Sequence, residues 1–196
     1  MKLTIIKRLL ILLNFIPVLC FSNNNILIGE KAPNWALKTS QGKFEFLNNY
    51  AAPIDKGLRG NDDKTQERNV VVMSFFATWC QPCIKEIREL HKLKENYVGK
   101  SAQFFLIDLT EFFRKGKERK YNKAKKADEF LNELDLSDIT ILEDNRGIVA
   151  KKYDVNTLPR LFVIDKYQIV QMDEGGLCPT CIQDMLTPVL DKLINE

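Results

Sequence analysis

Two cysteines spaced as Cys80-Gln81-Pro82-Cys83 stand where an apolar run gives way to a helical pattern. The run is Val70-Val71-Val72-Met73-Ser74-Phe75-Phe76, followed by Ala77-Thr78-Trp79. A strand of this kind delivers its cysteines to the head of a helix. Unpaired N–H groups and partial positive charge there favour a thiolate over a thiol. The thiolate is the nucleophile of disulfide exchange, and C-x-x-C motifs lower the cysteine pKa for this reason. Cys80 is expected at the exposed helix edge as the attacking sulfur. Cys83, one turn inside, is placed to resolve the mixed disulfide. Half of a metal site and a structural disulfide use the same spacing, but Trp79 and the strand-to-helix setting favour redox chemistry.

A second pair, Cys178-Pro179-Thr180-Cys181, follows Gly175-Gly176 and opens the last helical pattern, with a proline near its first turn. Three readings stay open. The pair relays electrons to or from Cys80 and Cys83, or it is a local disulfide pinning the helix start, or both pairs bind zinc or copper. The metal reading lacks the usual ribbon spacing, and the chain has a single histidine, His91. His91 lies on the first helix away from the motif and reads as a solvated or packing residue.

The chain has 196 residues, 45 % hydrophobic and 28 % charged. That is about one domain, or one with an extension, and long enough to bury a core without staples. Lys2, Lys7 and Arg8 precede a short apolar stretch, Leu9 to Leu19, interrupted by Asn14 and Pro17. With Cys20-Phe21-Ser22 after it, residues 1–22 read as a signal peptide. An uncleaved anchor and a lipid on Cys20 are the alternatives; 23–27 read as a polar linker and 28–196 as the folded domain. The formal net charge is +3, and residues 1–22 hold three basic residues and no acid. The remainder is therefore balanced, and nothing argues for nucleic acid. Export would place the dithiol in the periplasm or a similar oxidising space, where it needs an electron donor or acts as an oxidant.

Along the domain, Gln41-Gly42-Lys43 signals a hairpin, and residues 52–69 read as a surface insertion. After the strand at 70–76, a helix from about Cys80 to Tyr97 carries Ile84, Ile87, Leu90 and Leu93 on one face. A buried strand covers Ala102 to Leu109. The basic residues between Arg114 and Lys126 read as a solvated helix face rather than a docking surface. Further strands are expected at 139–142, 161–164 and 168–172, with a short helix at 148–153. A closing helix is expected from Cys178 to Ile194. Strands alternating with helices imply a central sheet covered on both faces.

Three segments together resemble exported thioredoxin-fold proteins of the TlpA/ResA type. They are Gly29-Glu30-Lys31-Ala32-Pro33-Asn34-Trp35-Ala36-Leu37, Phe75 to Cys83, and Tyr153-Asp154-Val155-Asn156-Thr157-Leu158-Pro159-Arg160-Leu161-Phe162-Val163-Ile164-Asp165. The resemblance implies an α/β thioredoxin-like fold, a mixed sheet flanked by helices, and a cis Pro159 facing the cysteines. It implies a thiol–disulfide oxidoreductase without cofactor, acting on disulfide-bearing proteins and recharged by a membrane disulfide reductase, with apocytochrome c maturation as one pathway. Trp79 and Pro159 would shape the docking surface. The chain departs from the pattern in three places. Ser74 stands where thioredoxins carry a buried acid, Arg160 follows the proline, and the second cysteine pair is additional. No proton acceptor for Cys83 is evident, and Glu111 is a weak candidate. A thiolate metal-binding or metallochaperone module is the alternative function.

Overall fold

The computed structural model describes residues 28–59, 67–115, 124–176 and 181–196. The expectations for the signal segment, linker, Cys178 and part of the basic run therefore lie outside the described residues.

Val70–Phe76 forms strand β3, and all seven of its residues are buried. An unbroken apolar run of this length suits only the middle of a sheet covered on both sides. It pairs in parallel with β4 (Ala102–Asp108) and antiparallel with β6 (Arg160–Ile164). The remaining strands are β1 (Ala36–Thr39), β2 (Phe44–Phe46), β5 (Thr140–Glu143) and β7 (Val170–Gly175). Their spatial order is β2-β1-β5-β4-β3-β6-β7. The sheet is thus mixed, as expected. The hairpin expected at Gln41-Gly42-Lys43 joins β1 to β2, with Gly42 at φ 82°.

Strand alternation divides β3 between two cores. Val70, Val72 and Phe76 face helices α1 (Gln81–Glu95), α3 (Ala127–Glu133) and α5 (Ile182–Asn195). Val71, Met73 and Phe75 face α4 (Ile148–Lys152) and the amino-terminal lead-in, with Trp35 edge-on to Phe105. The lead-in bonds Gly29 N–H to the Val170 carbonyl, then crosses this face to become β1. Ser74 shares the first face and so points toward α1. The apolar stripe of α1 runs through Cys83, Ile87, Leu90 and Leu93, with Ile84 at its half-buried edge.

The start of the last strand differs from expectation for a local reason. The last strand starts at Val170 rather than 168, because the Asp165 carboxylate accepts the N–H groups of Tyr167 and Ile169, both at 2.9 Å. This turn puts Gln168 at φ 68° and sends its amide nitrogen to the Ala32 carbonyl and Asn34 Oδ1, both at 2.8 Å. A short helix, α2 (Thr110–Lys115), follows β4 directly and begins ahead of the basic run in which a helix face is expected.

Helix α4 starts where the Asp144 carboxylate accepts the N–H groups of Ile148 and Ala150, at 2.9 and 2.8 Å. Its N-cap, Gly147, has φ 63°, and a Cβ there would lie 2.6 Å from the Phe112 ring of α2. Gly42 has the same handedness but nothing within 4 Å of such a Cβ. Both Gly→Ala changes incur left-handed strain of about 1 kcal/mol; only Gly147→Ala adds overpacking of about 1–3 kcal/mol. Denaturant unfolding is expected to rank Gly147→Ala below Gly42→Ala by that margin; equal losses would show that the ring gives way freely.

Candidate active site

The chain leaves β3 through Ala77-Thr78-Trp79 and enters α1 at Cys80. Cys80 is the N-cap, with extended backbone (φ −84°, ψ 97°), and Pro82 occupies the first turn. A proline is tolerated there because its missing N–H would have had no partner in the helix. The Cys80 sulfur takes the place of a capping oxygen and accepts the Cys83 N–H at 3.3 Å. No acidic residue lies in the first turn to oppose this field. Cys80 and Cys83 are joined as a disulfide, with Cα atoms 5.3 Å apart. The dithiol geometry expected at a helix head is therefore present.

Cys80 is less open than expected. It is only 5 % exposed, and Cys83 is fully buried. Cys80 instead lines a cleft of about 460 Å³ whose walls include Trp79, Pro82, Phe113 and Leu158. These neighbours share the cleft with the nearly buried Cys80. The Leu158–Pro159 bond is cis, and Leu158 and Cys80 line this same cleft. The Pro159 carbonyl accepts the Gly176 N–H at 3.1 Å, tying the loop to the end of β7.

A chain of hydrogen bonds holds the turn ahead of Cys80. The Asp108 carboxylate accepts the Thr110 N–H at 2.8 Å, Thr110 Oγ1 accepts the Thr78 N–H at 3.0 Å, and the Thr78 hydroxyl donates to the Lys125 carbonyl at 3.1 Å. Burial, assisted by nearby Glu143 and Glu111, pushes the Asp108 carboxyl up to about 6.

The buried acid absent from the strand is found on the helix. Glu86 is fully buried, one turn beyond Cys83 on the same face of α1. The Ser74 hydroxyl donates to its Oε1 at 2.6 Å, while Oε2 has no hydrogen-bond partner among the described residues. Burial pushes its carboxyl up to about 7, against the lowering effect of Ser74. Sequence reasoning passed over Glu86, although a signal was present. Positions 83, 86, 87, 90 and 93 form one 3–4 spaced stripe, and an acid inside such a stripe must be buried.

Other candidates resolve differently. Glu111 is ion-paired with Arg114 on α2 and is not a lining residue of the cleft. His91 bonds Asp138 at 2.5 Å on the outer side of α1, in line with a surface role. Arg160 is engaged by the neighbouring strand. Its guanidinium holds both oxygens of Asp173, at 2.6 and 2.8 Å, and lies across Gly175, where a Cβ would come within 2.6 Å of it. Cys181, at the start of α5, is disulfide-bonded. Cys178 lies outside the described residues.

Comparison with known proteins agrees with this geometry. The AhpC/TSA family model matches residues 28–172. The chain is 29 % identical over 143 residues to the thioredoxin-like protein YneN of Bacillus subtilis, covering 73 % of this chain and 68 % of that one. It is 28 % identical over 163 residues to the thiol-disulfide oxidoreductase ResA of Bacillus thuringiensis subsp. konkukian, covering 83 % and 78 %. A DsbE-type thiol:disulfide interchange protein structure from Chlorobium tepidum superposes with a TM-score of 0.65 at 22 % identity, over 86 % of this chain and 99 % of that one. A sulfur-capped helix, a strand buried on both faces and a family match over most of the domain converge: the chain belongs to the AhpC/TSA family and is a thioredoxin-fold thiol–disulfide oxidoreductase.

Proposed function

We propose that the Cys80–Cys83 dithiol of an exported protein reduces disulfides in polypeptide substrates. The observation that carries this reading is the Cys80 sulfur capping α1 at the wall of a cleft shared with Leu158. In the reduced protein, the Cys80 thiolate attacks one substrate sulfur. A mixed disulfide forms and the second substrate sulfur leaves as a thiolate. Cys83 then loses its proton and attacks Cys80 Sγ. The first substrate sulfur departs, and the oxidised pair remains. Two electrons have passed to the substrate, and a donor dithiol must return them. A membrane disulfide reductase is the donor in this reading, the periplasm or an equivalent space the location, and residues 1–22 the export signal or tether. The absence of a histidine between the cysteines favours the reducing direction, with apocytochrome c maturation as a candidate pathway.

Glu86 is the proton acceptor for Cys83 in this scheme. A carboxyl at about 7 is matched to a general base working near neutral pH. Its ordinary value is 4.5, so the folded state holds the proton more tightly than the unfolded chain. Stability of the oxidised protein therefore falls as pH rises from about 4.5 to about 7 and is level above that, by up to roughly 3 kcal/mol. In Glu86→Gln, denaturation against pH is expected to lose the part of the slope between about 6 and 7, Asp108 still contributing below about 6. The resolving step is expected to slow by about a hundred- to ten-thousandfold without a pH step near 7. An unchanged rate–pH profile would remove Glu86 from the proton path.

Direction is read from the reduction potential of the Cys80–Cys83 couple against glutathione. A reductant is expected near the thioredoxin value, on the order of −270 mV; a value near −120 mV would make the protein an oxidant. The same titration together with turnover, after replacing Cys178 and Cys181 by alanine, separates electron relay, which alters turnover of the first pair, from a local staple, which does not. Stoichiometric zinc or copper on the reduced protein, without exchange activity, would favour the metal-binding alternative.

A further inference from the structure

The cleft beside Cys80 is walled by side chains from three parts of the fold: Trp79 and Pro82 at the head of α1, Val155 and Leu158 ahead of β6, and Phe113 from α2. Among the described residues, none that lines it carries a charged side chain. Phe113 stands edge-on to Trp79, with ring centroids 5.6 Å apart and planes at 85°. Its position is built from behind. Phe112 packs against Phe113 at 5.2 Å and against Gly147, where an added Cβ would lie 2.6 Å from its ring. The other end of α2 is tied to the active-site turn through Thr110 and Thr78. The aromatic wall is thus packed from behind and tied at one end, an arrangement that reduces the ordering cost of binding.

The opposite side of the cleft presents backbone. Among the described residues, neither the N–H nor the carbonyl of Leu158 has a hydrogen-bond partner, and Thr157 beside it is exposed. An extended chain lying along Thr157-Leu158 can pair with these groups by strand addition. If one of its sulfurs meets Cys80, a neighbouring side chain is directed into the cleft. A charged or small polar group would gain nothing there.

We propose that the preferred substrates are extended polypeptides carrying a large apolar or aromatic residue beside the disulfide cysteine, and that Phe113 sets this preference. The inference rests on the exchange reading above and names the substrate class of the same site. Small hydrophilic disulfides such as oxidised glutathione are poor substrates on this account.

The test uses the reduced protein and two disulfide-bridged peptides that differ only at the residue next to one cysteine, Phe or Ser. Wild type is expected to favour the Phe peptide in kcat/KM by roughly ten- to a hundredfold, the discrimination an apolar pocket supplies. Phe113→Ala is expected to bring the ratio close to one, and Phe113→Tyr to retain it. Equal rates in the wild type overturn the proposal without any variant, as does a preference undiminished in Phe113→Ala. Failure to exchange with either peptide and with oxidised glutathione would instead overturn the oxidoreductase reading, and this inference with it.

Discussion

A sulfur does the work of a capping oxygen at the head of α1, and the rest of the site is arranged around that contact. Helix N-termini leave N–H groups without partners, and side-chain oxygens normally satisfy them. Here the Cys80 sulfur accepts the Cys83 N–H. The negative end of the exchange reaction is thereby placed in the field of the helix, and the same hydrogen bond links the two cysteines that must exchange. The contact holds only if the chain arrives at Cys80 from a fixed direction. Strand β3 provides that direction because it is buried along its whole length, with the chain of bonds through Thr78, Thr110 and Asp108 fixing the turn after it.

Proton handling follows from the same geometry. The strand gives up a carboxylate at Ser74, and the helix supplies one at Glu86, with the serine hydroxyl donating to it. An acid so placed is buried among apolar side chains and holds its proton to about neutral pH. Moving it from strand to helix keeps it on the face that carries Cys83. The positive charge of Arg160, close in sequence to the cis-proline loop, is engaged by Asp173 on the neighbouring strand. Among the described residues, the lining of the cleft is uncharged.

Much of this was legible in the residues. The run at 70–76 could only be a central strand, the Gly42 turn could only be a hairpin, and the cysteine spacing announced its chemistry. The features that escaped depend on contacts between distant segments. Glu86 reads as a surface acid by its type, and only its place in the stripe of Cys83, Leu90 and Leu93 marks it as buried. The start of β7 depends on Asp165 capping a turn that Gln168 then anchors to the lead-in. The exposure of Cys80 depends on Leu158, far along the chain, and on a helix, α2, too short to leave a periodic signal. Phe113 is one aromatic residue among many until the fold sets it beside Trp79.

Which sulfur meets the substrate decides the mechanism. In Cys83→Ser the resolving step is removed, so a disulfide-bridged peptide should remain attached to the protein through Cys80, and peptide mapping by mass spectrometry should find it there. Cys80→Ser should capture none. An adduct on any other cysteine, or no adduct at neutral pH in Cys83→Ser, would contradict it.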